Sequence, residues 1–322
     1  MKLLVTVPWD AAQLQRITAR FPQVAFTTAL TTETALAAAA DAEVVFGDFS
    51  REIFLAAKKL RWVQCHGAGV NKLKAIPELL ASNVQITSTK GAHAATIAEH
   101  FFGMLISLAR QFPKLQMAQQ RREWVRWSTW AETIGNQPLG LQGLTLGIVG
   151  LGNIGLAIAE RARAFGMSVI AVDLRSMEKP ASVSALWSSA ELPELLRRSD
   201  AVVVTVPGIP QTDSLLGPEM LGHMKPSAYL IVVSRGGVVD EARLTTMLHE
   251  GRLAGAALDV TAQEPPATDN PLWSAPNLIL TPHTARKSAN TTAAATEIFM
   301  SNVARYLAGQ PLTNLVDKVL GF

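Results

Sequence analysis

An apolar run, a glycine-punctuated turn and an amphipathic run follow one another without a spacer between Leu144 and Phe165. They are Thr145–Val149, Gly150-Leu151-Gly152-Asn153-Ile154-Gly155 and Ile154–Phe165. The first glycine permits a tight turn, the second lets a pyrophosphate approach the backbone, and the third allows the helix to pack closely on the strand. The free N–H groups at the start of the helix then face the phosphates. Alone, three glycines at this spacing equally describe a plain turn. Here a strand precedes them, a helix follows, and an acidic residue, Asp173, ends the next apolar run, Ser168–Val172. That combination is the dinucleotide-binding fingerprint. A carboxylate at Asp173 accepts from a ribose 2′-OH and repels a 2′-phosphate, which favours NAD and makes NADP the lesser alternative. Arg175, two residues on, softens that preference.

The same alternation runs through most of the chain. Strands are expected at Lys2–Val7, Val24–Phe26, Glu43–Phe46, Trp62–Cys65 and Val84–Thr87, then at Thr145–Val149, Ser168–Val172, Ala201–Thr205, Tyr229–Val233, Gly255–Leu258 and Leu278–Leu280. Helical patterns lie between them, including Asp10–Arg20, Ser50–Lys59 with Ser50 as N-cap, and Ala92–Arg110. A last helix, Ser288–Leu307, is stopped by Gly309-Gln310-Pro311. Such alternation implies an α/β fold with parallel sheets. A length of 322 residues suggests two domains. The tail after the last strand is too short to fold alone and is expected to return to the first domain. The predicted division is therefore 1–98 plus 289–322, with 99–288 between.

Composition excludes several classes. The net charge is only +3, from 29 basic and 26 acidic residues, which gives no basis for a nucleic-acid partner. The longest apolar stretch, Phe101–Ala109, falls short of the ~20 residues that cross a bilayer. The amino-terminal run Leu3–Val7 stops at Pro8 and is shorter than a signal-peptide core. A single cysteine, Cys65, excludes an intrachain disulfide and fits a reducing compartment. A cytoplasmic protein without a membrane partner or a metal is expected.

Three further segments carry chemistry at expected strand ends, where open α/β sheets bind ligands. Arg235, in Ser234-Arg235-Gly236-Gly237-Val238-Val239-Asp240-Glu241, offers a planar fork for a carboxylate. The plainer reading is a surface salt bridge. His283, in Thr281-Pro282-His283, has a potential orienting partner in Glu264, after Asp259 and before Pro265. A carboxylate beside an imidazole favours its protonated form and selects which nitrogen faces outward. That is the arrangement of a general acid for carbonyl reduction and a base for the reverse. Asp259 reads most simply as a turn former or helix cap.

On these motifs, with His66-Gly67-Ala68-Gly69-Val70, Ala98-Glu99-His100 and Gly321-Phe322, the whole chain resembles the D-isomer-specific 2-hydroxyacid dehydrogenases. The resemblance implies two flavodoxin- or Rossmann-like domains with an interdomain active-site cleft, and usually a homodimer in which the Trp-bearing segment 119–140 takes part. It implies that Arg235 holds a 2-oxo acid, His283 protonates its carbonyl oxygen and Glu264 supports His283. The backbone N–H groups of Ala68 and Gly69 would bind the substrate carboxylate. Asp259 would bond the nicotinamide amide, and Pro207 and Thr212 would line the cofactor. Departures are Val232 where Asn is frequent, Asn71 where an acid is common, and Arg286 where a small residue is usual. The activity implied is NADH-dependent interconversion of a short 2-oxo acid and its D-2-hydroxy acid. The Gly-Ala-Gly loop, the Trp-rich segment and Leu272-Trp273 look like glyoxylate/hydroxypyruvate reductases, with D-lactate- and phosphoglycerate-type members as the other substrate classes left open. The alternative is an NAD(H)-sensing, corepressor-like binding protein on the same fold.

Overall fold

The computed structural model describes residues 1–67, 73 and 75–318. The chain divides into two compact units, one made of Met1–His93 and the segment from Ser288 onward, the other of Ala94–Lys287. The 98/99 boundary expected from sequence falls inside the helix Ala94–Ala109. That helix lies wholly in the second unit, where Phe101, Leu105 and Leu108 enter the core.

The first unit holds five parallel strands: β1 (Lys2–Val5), β2 (Ala25–Thr28), β3 (Val44–Gly47), β4 (Trp62–Cys65) and β5 (Gln85–Thr87). Their order, β2-β1-β3-β4-β5, is the flavodoxin-like one. The helix Ala11–Arg20 begins with a reciprocal capping box between Asp10 and Gln13. Ser50 caps Arg51–Ala56, as expected, although that helix ends before Lys59.

The last helix, Ala289–Leu307, completes this unit. Phe299 is fully buried against Phe46, ring centroids 4.3 Å apart, and against Trp62. Beside it, buried Asn302 donates through Nδ2 to Oε1 of Gln64 (3.1 Å) and accepts at Oδ1 from the Thr313 backbone N–H (2.8 Å). Thr87 also donates to Gln64 Oε1 (2.8 Å) and accepts from the Trp62 indole N–H (2.7 Å). A buried polar network this well satisfied fixes one docking register for the returning helix.

The second unit holds seven parallel strands: β6 (Thr145–Val149), β7 (Ser168–Asp173), β8 (Ala185–Ser188), β9 (Ala201–Val204), β10 (Tyr229–Val232), β11 (Gly255–Leu258) and β12 (Leu278–Leu280). Their order is β12-β11-β10-β9-β6-β7-β8. From β6 the chain moves outward to β8, then crosses back to β9. The strand order therefore reverses between β6 and β9, and a crevice opens outside the carboxyl ends of these strands. β9, β10 and β11 are buried along their length, as parallel strands covered on both faces are. No helix among the described residues is long and apolar enough to cross a membrane.

Candidate active site

The glycine turn occupies this switch point. Gly150 has φ +96°, a conformation that glycine adopts without steric cost. A Cβ on Gly155 would stand 2.5 Å from the Gly150 carbonyl oxygen, so the helix Asn153–Ala164 packs directly on the turn. A Cβ on Gly152 would meet nothing within 4 Å. Gly152 is also the helix N-cap and supplies no side-chain acceptor. The first N–H groups of the helix thus face an open cradle, which suits a pyrophosphate.

Asp173 ends β7 with its side chain only 7% exposed. Its Oδ2 accepts from the Leu151 backbone N–H at 2.7 Å, tying β7 to the glycine turn. Its Oδ1 accepts from the backbone N–H of Arg175 at 2.9 Å and from its Nε at 3.0 Å, while Nη2 reaches Oδ2 at 3.2 Å. Burial alone would raise this carboxyl's pKa. The bonds from Arg175 and Leu151 outweigh it and hold the pKa below the usual value.

Arg235 follows β10, as expected. Its Nη1 donates to the Ser234 carbonyl at 2.6 Å. It is half-buried and has no ion pair among the described residues. Burial pushes the guanidinium below its ordinary pKa; the charge of Glu264 opposes this and that of Arg286 adds to it. Two glycines make room here. A Cβ at Gly208 would come 3.0 Å from Cγ of Arg235, and one at Gly236 would overlap the Thr261 carbonyl oxygen at 1.9 Å.

His283 stands on the turn after β12 with φ +51°, a left-handed conformation that costs a non-glycine residue about 1–2 kcal/mol. The turn is over-determined. The His283 backbone N–H donates to the Asp259 carbonyl at 2.8 Å. The Asp259 carboxylate, only 2% exposed, accepts from Thr281 Oγ1 (2.6 Å) and from the backbone N–H groups of Thr284 (2.9 Å) and Ala285 (3.0 Å). The imidazole Nδ1 lies 2.8 Å from Glu264 Oε2. The loop bearing Glu264 is itself anchored, for Glu241 Oε1 accepts from the Ala262 N–H at 2.5 Å.

Residues 102–285 match the family described as D-isomer specific 2-hydroxyacid dehydrogenase, NAD binding domain. The chain belongs to this family. It is 35% identical over 271 residues to a glyoxylate reductase of Korarchaeum cryptofilum, covering 83% of this chain and 79% of that protein. It is 30% identical over 321 residues to a D-3-phosphoglycerate dehydrogenase of Methanocaldococcus jannaschii, covering 98% of this chain but 59% of that longer protein. Among solved structures, the D-isomer specific 2-hydroxyacid dehydrogenase family protein from Aeromonas salmonicida subsp. salmonicida A449 is similar, with TM-score 0.84 and 31% identity. That likeness covers 98% of this chain and 99% of the other. The α/β fold with two parallel sheets is that of the D-isomer specific 2-hydroxyacid dehydrogenases, and the cofactor of the matched domain is NAD.

The structure brings Arg235, Glu264, His283 and Asp259 to neighbouring strand ends of this dehydrogenase fold, and Asp173 to the glycine turn. Ala68 and Gly69 lie outside the described residues. Pro207 is exposed after β9, while Thr212 is 1% exposed and closes the loop. The Thr212 hydroxyl lies 2.5 Å from the Pro207 carbonyl and accepts from the Ile209 N–H at 3.1 Å. The sequence reading gave no role to Thr281 or His100, although His100 Nε2 lies 3.0 Å from Thr281 Oγ1. Register carries that signal: β11 and β12 pair Leu258 with Leu280, so Asp259 and Thr281 come next on adjacent strands.

Proposed function

We propose that this protein reduces a short 2-oxo acid, glyoxylate or hydroxypyruvate first among them, to the D-2-hydroxy acid with NADH, and catalyses the reverse oxidation. The observation that carries the reading is the His283–Glu264 pair at 2.8 Å, on a turn braced by Asp259 next to a half-buried arginine. Bound NADH supplies the hydride that the carbonyl carbon receives. Gly150, Leu151, Gly152, Asn153, Ile154 and Gly155 hold its pyrophosphate, with Asp173 near its adenosine ribose and Pro207, Thr212 and Asp259 shaping the rest of its bed. Arg235 binds the carboxylate and carbonyl of the acid through its guanidinium fork, and the N–H groups of Ala68 and Gly69 bind the carboxylate. Glu264 accepts from Nδ1 of His283, which leaves Nε2 to donate a proton to the carbonyl oxygen. Neutral His283 then takes a proton from solvent, or in oxidation accepts the one that the hydroxyl releases.

The reading extends to a cytoplasmic homodimer. Trp124 is 90% and Trp127 66% exposed, with Phe112 and Met117 also bare on the preceding helix, an apolar surface that a second copy would cover. Light scattering of the purified protein tests this directly.

The activity is tested by oxidation of NADH and NADPH at 340 nm against glyoxylate, hydroxypyruvate, pyruvate, phenylpyruvate and 2-oxoglutarate. Turnover with one or more acids supports the reductase. NADH binding without turnover on any of them would favour the NAD(H)-sensing alternative.

A further inference from the structure

We propose that His100 is a positioning residue for His283. It donates through Nε2–H to the Thr281 hydroxyl, sends that hydroxyl's proton to Asp259 and so locks the turn that carries the His283 imidazole. This rests on the reading of His283 as proton donor and adds to it a residue from a separate element. His100 lies on the helix Ala94–Ala109, whose buried residues include Ile97, Phe101 and Met104. Its Nε2 stands 3.0 Å from Thr281 Oγ1. Met104, one turn further along the same face of the helix, brings Sδ to 4.0 Å from that oxygen. Asp259 Oδ1 is the nearest of the three, at 2.6 Å. The hydroxyl has one proton to give, and a carboxylate only accepts. The Thr281 proton therefore goes to Asp259, a lone pair faces His100, and an N–H on Nε2 completes the chain.

That chain bears directly on His283. The Asp259 carboxylate is 2% exposed, and its nearest basic group among the described residues is the same Nε2, 3.6 Å from Oδ1. Its other bonds run to the Thr284 and Ala285 N–H groups, which follow His283 in the turn. The His283 N–H is itself shared between the carbonyls of Asp259 at 2.8 Å and Thr281 at 3.0 Å. A shift of Thr281 is thus passed to His283 through the main chain. Without His100 the hydroxyl is free to turn its proton toward the Met104 sulfur, and the buried carboxylate loses a donor. A donor at the head of a hydrogen-bonded chain also strengthens the bond that follows it. Misplacing a proton donor by about 1 Å costs up to about 10²-fold in rate.

Nitrogen NMR of the imidazoles in the full chain reads the proton directly. The His100 resonance, assigned by its loss in His100→Gln, is expected to show a protonated Nε2; a bare Nε2 would overturn the inference. Turnover then separates positioning from mere support. His100→Leu should lower kcat for 2-oxo acid reduction by about tenfold, with KM for the acid within about threefold because Arg235 is untouched. His100→Gln, which keeps an N–H near the place of Nε2, should recover most of that loss. Thr281→Val should cost as much as His100→Leu, and the double variant no more than either. A kcat within about twofold of wild type in His100→Leu, no recovery in His100→Gln, or additive losses in the double variant each remove the role. Should His100→Leu not fold, the wild-type proton position and the Thr281→Val turnover decide. If no acid is turned over, the reductase reading fails separately, and the Thr284 and Ala285 amide resonances become the measure. They should move in His100→Leu and return in His100→Gln; amides unmoved in both overturn the inference equally.

Discussion

At the β6–β7 end of the seven-stranded sheet, Asp173 and Arg175 saturate one another and the glycine turn. At the β10–β12 end, Arg235 lies half-buried without an ion pair among the described residues, while its neighbour Glu264 spends its carboxylate on His283. One end pairs its charges and gains a fixed shape. The other leaves a guanidinium partly desolvated, a condition that destabilises the folded protein until an anion arrives. The contrast separates residues that brace the crevice from those proposed to act in it.

The largest effect is expected at the acting end. His283→Ala should lower kcat for 2-oxo acid reduction by roughly 10²–10⁴-fold, the usual worth of a positioned acid. Steady-state turnover within about threefold of wild type would assign the proton to another group.

Arg235→Met should raise KM for the acid and lower kcat/KM by on the order of 10²-fold, since charge-assisted bonds to the carboxylate are lost. The same change should raise Tm by a few degrees, because an apolar side chain replaces an unpaired, half-buried charge. Arg175→Met, at the paired and exposed end, should move Tm by less than about 2 °C. Equal Tm shifts in the two variants would erase the distinction between the ends.

Gly236→Ala probes how tightly the acting end is built. Its Cβ would overlap the main-chain carbonyl of Thr261, which no rotamer change relieves, and about 1–3 kcal/mol of stability should be lost. Chemical denaturation measures that loss, and a neutral substitution would show that the β10 and β11 loops separate freely.

The smallest effect belongs to Asp173. Its folded pKa lies below the unfolded value, so it stabilises the fold above the unfolded value of about 3.9 and loses that contribution as pH falls through the lower folded value. Asp173→Asn should therefore lower Tm at neutral pH, and the gap from wild type should close in acid. A constant gap from pH 7 to pH 3 would place the effect in packing.

Much of this was legible from the residues. Trp62–Cys65, Thr145–Val149, Gly255–Leu258 and Leu278–Leu280 are strands with the limits their apolar runs suggest. Lys2–Val7 runs two residues too far, because Thr6 turns its hydroxyl to the Asp48 carbonyl at 2.5 Å and leaves the strand. The edge strand Ala185–Ser188 is not among the expected ones: its apolar run of three residues sits among serines and is only half-buried. The helix Thr32–Ala39 opens on a capping box between Thr31 and Thr34, a start signal readable in the sequence. In the site, the pairing of His283 with Glu264 followed from two strand ends. The turn that carries His283 did not, because its positive φ is held by bonds from Asp259 to residues 25 and 26 positions later. The return of Arg175 onto Asp173 is a rotamer choice, and composition is silent on rotamers.

The returning helix Ala289–Leu307 sets the order in which this polypeptide is completed during synthesis. β1, β3 and β4 emerge early, yet the faces of Phe46 and Trp62 that pack on Phe299 stay uncovered until about 230 further residues have been translated after Trp62. Everything the second unit needs, from Ala94 to Lys287, leaves the ribosome before that happens. The first unit is thus begun before the second and finished after it, and its apolar surface needs shelter in the interval.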